Sequence, residues 1–143
     1  MIEGEIARSC AMAGDDAANE PACGPAPRSG AAAKAAIERY YSAINARDFP
    51  TAWQAWRPNG APKQTYEQFV RGFAQTRRAN VTVGTPGPLE GAAGSIYITV
   101  PVTIDAQVAN GRRQRFVGNY TLRQSDLETT QGWRIISGDL KEE

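Results

Sequence analysis

Histidine is absent from this 143-residue chain, and its two cysteines, Cys10 and Cys23, both fall within the first thirty residues. Residues 31–143 therefore hold neither type, which removes the ordinary zinc sites, a cysteine nucleophile and every histidine-based triad. On these grounds neither a metal nor a cofactor is expected. No apolar run approaches the roughly 18 residues that a membrane helix needs. Charge of one sign is lacking as well: the net charge is +1, with five acids against two bases in residues 1–30 and ten acids against fourteen bases in the rest. A domain surplus of that size is far from the concentrated basic face of a nucleic-acid binder, so no nucleic-acid partner is expected.

The first thirty residues are also poor in side chains that can be buried. Alanine, glycine and proline supply fourteen of them, and the only branched aliphatics are Ile2 and Ile6. Such a segment does not offset the entropy of ordering its backbone, so residues 1–30 read as a flexible tail or linker and residues 31–143 as one domain. A disulfide between Cys10 and Cys23 would close only a short loop, and the sequence leaves open whether it forms. The stretch ending in Cys10 has the outline of a lipoprotein cleavage site, although Arg8 is out of character and no apolar stretch precedes it. Two readings stand. Either an export signal has been trimmed and the domain is periplasmic or tethered to a membrane by a lipid anchor, or the protein is cytoplasmic and its first residues are extraneous.

From Ala31 the pattern is helical. Ile37, Tyr40, Tyr41 and Ile44 fall on one stripe, with Lys34, Glu38 and Arg39 on the other side. Asp48 before Phe49-Pro50 has the form of an N-cap followed by an early proline, which starts a second helix with Ala52, Trp53 and Trp56 on its apolar side. Pro58, Asn59 and Gly60 stop it. Thr65 and Gln68 form a capping box for a third helix whose buried stripe is Phe69, Val70 and Phe73.

After Asn80 the period changes to two. A short strand at Val81–Val83 precedes a loop rich in glycine and proline, and Ile96, Ile98, Val100, Val102 and Ile104 then alternate with polar neighbours in a long strand with one buried face. Pro101 cannot donate to a ladder, so a bulge or an edge position is expected there. Asn110-Gly111 signals a hairpin into a strand from about Arg112 to Gln124, with Phe116, Tyr120 and Leu122 sharing a face. Trp133, Ile135 and Ile136 mark a last strand, entered through Gln131-Gly132. Three helices followed by a long, curved, mainly antiparallel sheet make an α+β arrangement, with a cone-shaped cavity between the two layers.

The run YYSAINARDFPTAW, the TYEQFVRGF helix, the paired long strands through GNYTLR and the terminal GWRI strand together resemble the superfamily of nuclear transport factor 2 and ketosteroid isomerase. The resemblance spans about Ala33 to Leu140, and is greatest to small exported or lipid-anchored bacterial proteins of this fold whose roles are uncharacterised. It implies the cone fold. It does not imply one activity, because that superfamily hosts enzymes, transport factors and secretion-machinery parts.

The isomerase branch would imply a carboxylate base with tyrosine and a neutral acid at the oxyanion. Tyr40 or Tyr41 matches the first-helix tyrosine. The carboxylates match less well: Asp48 is explained as a helix cap, Asp105 lies on the polar side of its strand near a turn, and Asp139 stands where alternation is irregular. No catalytic residue is assigned. The candidates for lining a pocket are Tyr40, Tyr41, Trp53, Trp56, Phe69, Phe73, Tyr120 and Asp139, each aromatic having a plain core role as its alternative. Arg112, Arg113 and Arg115 beside the hairpin, with Arg123 further along, suggest a patch for anions or acidic partners, for which a solvated strand face is the simpler reading.

The sequence thus favours a non-enzymatic module, exported, that binds a small apolar ligand or a protein partner. The alternative is a small isomerase- or hydratase-like enzyme using tyrosine and carboxylate in the cone. Membrane contact is expected only through a lipid anchor. A homodimer through the open sheet face is the expected assembly.

Overall fold

The computed structural model describes residues 28–56, 64–92, 94–125 and 132–143. The flexible tail expected over residues 1–30, both cysteines, and the helix stop at Pro58-Asn59-Gly60 lie wholly or almost wholly outside that set.

Helix α1 spans Gly30–Asn45, and Ser29 caps it by accepting a hydrogen bond from the Ala32 amide at 3.1 Å. Its inner stripe of Ala33, Ile37, Tyr40, Tyr41 and Ile44 is buried. At its far end Asn45 donates to the Ala79 carbonyl and accepts from the Ala79 amide, both at 2.8 Å. That pair of bonds pins the helix to the first strand. Arg47 follows in the left-handed region at φ 61°, and its guanidinium donates to the carbonyls of Phe73 and Thr76. Helix α2, Phe49–Gln54, starts at Asp48, whose carboxylate accepts from the Thr51 amide. Helix α3, Tyr66–Gly72, carries the Thr65/Gln68 capping box with bonds of 2.9 and 3.1 Å.

The sheet holds β1 (Thr76–Val83), β2 (Glu90–Ala92), β3 (Ser95–Val108), β4 (Arg113–Ser125) and β5 (Arg134–Glu142). It is antiparallel throughout, in the order β1-β3-β4-β5, with β2 also paired to β3. Strand β1 begins five residues before the Val81–Val83 segment that the alternation identifies. Its earlier residues, Arg77 and Arg78 among them, are too polar to show a period of two, and the register slips by one at Arg77. The hairpin between β3 and β4 closes through Val108 and Arg112, with only Gly111 at positive φ (86°). It is therefore a three-residue connection with a glycine bulge and not a two-residue turn.

Pro101 departs from expectation. It forms no bulge against β4, because the pairing from Ser95↔Ser125 to Gln107↔Arg113 runs without a break, and β3 is an inner strand. The carbonyl of Pro101 accepts from the Gly84 amide at 2.8 Å, so its missing N–H faces the side on which β1 has already ended. The ladder loses nothing there.

Besides the slip at Arg77, a bulge lies instead between β4 and β5. The register jumps between Thr121↔Ser137 and Leu122↔Ile135, leaving Ile136 as an extra residue. Just beyond, a Cβ on Gly118 would fall on the Asp139 carbonyl, so β5 passes over β4 at a separation only glycine permits. The inner sheet face, α1 and the end of α2 enclose the core. Trp56 joins it through an isolated parallel bridge to Ile135, and Trp133 Nε1 donates to the Ser29 carbonyl at 3.0 Å.

Candidate functional site

The inner face of a curved sheet cannot be covered completely by short helices, and the gap falls where α3 gives way to β1. A cavity of about 320 Å³ opens there. Phe73 from the end of α3, Ile104 of β3, Phe116 and Tyr120 of β4, Leu140 of β5 and Tyr41 of α1 form most of its wall, and Thr76 and Gln114 add polar groups. None of the lining residues carries a charge. The size is at the small end for a ligand site, and the wall mixes apolar side chains with a comparable share of polar surface.

Tyr41 and Tyr120 meet in this wall. Their hydroxyl oxygens are 2.6 Å apart, and the two residues are 5% and 4% exposed. Burial pushes both hydroxyls well above the usual tyrosine pKa; the bond between them acts the other way on Tyr41, while for Tyr120 the neighbouring Tyr41 adds to the rise. Both are therefore neutral at physiological pH. Each hydroxyl has one hydrogen, and their shared bond uses one of the two. Among the described residues no acceptor takes the other, which leaves one donor at the cavity wall.

The remaining aromatics pack behind this pair. Tyr40 sits edge-on to Tyr41 with centroids 5.0 Å apart and to Trp56 at 6.1 Å, and burial raises its pKa strongly as well. The Trp56 indole acts weakly against that rise, although its N–H makes no hydrogen bond of full geometry. Trp53 packs against Tyr66 and Phe69, and Phe69 against Phe73 at 5.3 Å.

Of the eight pocket candidates in the sequence, the cavity brings together Tyr41, Phe73 and Tyr120. Tyr40, Trp53, Trp56 and Phe69 do not line it. One residue along a helix is a turn of about 100°, so Tyr40 and Tyr41 diverge: Tyr40 lines a separate concavity of about 310 Å³ with Arg39 and Trp133. Trp56 and Phe69 are core residues, and Trp53 is half-buried on their outer side. Asp139 is exposed on the opposite face of the sheet, level with Asn119. The extra residue at Ile136 reverses the parity of β5, which turns Gly138 and Leu140 inward and Asp139 outward. Phe116 is the lining residue that sequence signals did contain, since it shares a strand face with Tyr120; Leu140 is hidden by that same reversal.

The other carboxylates follow Asp139. Glu38, Asp48, Glu67, Glu90, Asp105, Glu142 and Glu143 are all exposed, and Asp105 lies 3.8 Å from Arg115. Asp126 and Glu128 lie outside the described residues. Among the described residues, then, no carboxylate stands beside the tyrosine pair.

No sequence-family model matches the chain, and no curated protein is similar to it. Solved structures are. A scytalone dehydratase candidate from Novosphingobium aromaticivorans aligns with a TM-score of 0.56 at 10% identity, over 78% of this chain and 82% of its own. A nuclear transport factor 2-like superfamily protein from Salmonella enterica aligns at 0.53 and 16% identity, over 75% and 85%. A dehydratase candidate of the same family from Streptomyces avermitilis gives 0.50 and 13%, over 76% and 92%. Three helices on an unclosed antiparallel sheet, with a cavity between the layers, give this chain the cone-shaped α+β fold of the nuclear transport factor 2-like superfamily.

Proposed function

We propose that the domain is a non-enzymatic binding module that holds a small, uncharged, mainly apolar ligand in the cone. The observation that carries this reading is the buried Tyr41–Tyr120 pair, with one hydroxyl hydrogen left over in the wall of an uncharged cavity of about 320 Å³. An apolar body gains from leaving water, on the order of 25 cal/mol per Å² buried, and one oxygen acceptor on the ligand satisfies the remaining donor. An anion is disfavoured because no cation lines the cavity to offset its desolvation.

An enzymatic reading, of the isomerase or hydratase kind, draws support from the two dehydratase candidates that share the fold. It needs an acid or base near the tyrosines, and none of the described carboxylates is there.

Native mass spectrometry on gently purified protein tests the binding reading. A reproducible extra mass that is lost in Tyr120→Phe and in Phe116→Ala supports it. Bare protein that also takes up no member of a panel of cyclic ketones, phenols and lactones would overturn it. The same spectra report the subunit number, and so examine the homodimer expected from the sequence.

A further inference from the structure

At the hairpin end of the sheet, on the face away from the cone, a second concavity of about 310 Å³ collects charged side chains from three strands and the chain's last residue. Register places Arg78 of β1, Gln107 of β3 and Arg113 of β4 in one row across the sheet, and Asn80, Asp105 and Arg115 in the next. The bulge at Arg77 sets Arg78 opposite Gln107. Neighbouring strands are about 4.8 Å apart, so Arg78 and Arg113 start about 10 Å from each other, within reach of one small anion from opposite sides.

Charge in the groove is unevenly satisfied. Both lining side-chain carboxylates are engaged by Arg115: Glu143 at 3.1 Å and Asp105 at 3.8 Å. Among the described residues, Arg78 and Arg113 have no carboxylate partner. Arg78 Nε donates to Asn80 Oδ1 at 3.1 Å, which steadies the guanidinium and leaves the Asn80 amide N–H₂ free to donate. The Gln107 amide lies between the two arginines and adds another donor.

We infer that this groove is a second binding site, for a phosphoryl group held between Arg78 and Arg113 with Asn80 and Gln107 as side-chain donors. Two guanidinium forks approaching from different strands suit a tetrahedral group with three or more acceptor oxygens. A carboxylate, with two oxygens, is satisfied by one fork and leaves the other idle. None of Arg78, Asn80, Gln107 and Arg113 lines the cone, so the inference does not depend on a ligand there.

The test is a titration of ¹⁵N-labelled full-length protein with inorganic phosphate at constant ionic strength, followed by NMR. The expected result is saturable movement of the Arg78 and Arg113 Nε–H signals and of the Gln107 amide, with a Kd in the millimolar range. Arg78→Gln and Arg113→Gln each weaken it at least fivefold at unchanged Tm, whereas Arg112→Gln, at the turn and outside the groove, has no effect. Movement that never saturates, or that Arg112→Gln reduces equally, would overturn the site. Two further ligands distinguish the source of the group. Tighter binding of glycerol phosphate assigns it to a soluble phosphomonoester, and arginine-dependent sedimentation with phosphatidic acid vesicles assigns it to a lipid headgroup. Either result upholds the site.

Discussion

Gly138 lies directly against the ring of Tyr120: a Cβ built on Gly138 would stand 2.7 Å from Tyr120 Cε1 and 3.0 Å from Cδ1. The two residues are paired across β4 and β5, and the bulge at Ile136 is what turns Gly138 to the inner face. The position of the Tyr120 hydroxyl thus depends on the absence of a side chain on the neighbouring strand. Gly138→Ala is expected to shift the ring, break the bond to Tyr41 and lower stability by about 1–3 kcal/mol through overpacking. Urea denaturation measures the stability, and near-ultraviolet circular dichroism follows the tyrosine environment. An unchanged dichroism spectrum at wild-type stability would mean that the strand takes up the Cβ without displacing the ring.

The tyrosine pair itself is open to a double-mutant cycle. Tyr41→Phe or Tyr120→Phe leaves a buried hydroxyl without its partner, at a cost of about 1–3 kcal/mol, and the double variant removes that penalty along with the bond. The two single effects should therefore sum to more than the double one. A pH dependence follows from the same burial. Tyr40, Tyr41 and Tyr120 all have folded pKa values above the value of 10 that they take when exposed. The stability that their neutral hydroxyls confer is complete below about pH 10 and falls as pH rises past it, because only the unfolded chain then releases the protons. The urea midpoint should drop with pH in the alkaline range, less steeply in the double phenylalanine variant. A slope identical in both proteins would show that these hydroxyls are not coupled to unfolding.

Helix stripes, caps and strand alternation were legible because each is a local pattern. Ile37 to Ile44, the Thr65/Gln68 box and the Ile96 to Ile104 alternation all stand in the structure as the spacing requires. What was not legible depends on neighbours in space. The effect of Pro101 was set by where β1 ends, and the face of Asp139 by a bulge that no spacing in β5 announces. Asn45 looks like any helix-terminal residue, yet it makes two bonds to Ala79, 34 positions away. The site was half legible for the same reason. Tyr41, Tyr120 and Phe73 belonged to the expected aromatic set, but only the packing separates them from Tyr40, Trp56 and Phe69, whose burial in sequence terms is equivalent.

That separation has energetic consequences. Phe69 is 3% exposed with aromatic neighbours on several sides, so Phe69→Ala is expected to cost about 3–5 kcal/mol and to leave a marginally folded protein. Phe116 is only partly buried, with one side open to the cavity. Phe116→Ala should cost markedly less, about 1–2 kcal/mol, since fewer contacts are lost. If the cone binds a ligand, the order reverses for affinity per unit of stability lost. Thermal unfolding with and without a bound ring compound measures both, and a Phe116→Ala protein that binds as well as wild type would remove that residue from the site.

Two aspartates distinguish the binding and enzymatic readings by contrast. Asp48 caps α2, so Asp48→Ala should lower stability by about 1 kcal/mol wherever the protein is assayed, by loss of the bond to the Thr51 amide. Asp139 is exposed on the outer sheet face and makes no side-chain hydrogen bond or ion pair among the described residues, so Asp139→Asn should change stability by less than about 0.5 kcal/mol. Its carboxylate is separated from Tyr41 and Tyr120 by the sheet, and the substitution should leave ligand binding in the cone unaltered. A loss of binding or turnover in Asp139→Asn at wild-type stability would be incompatible with that face assignment. It would restore a carboxylate to the site and, with it, the enzymatic reading.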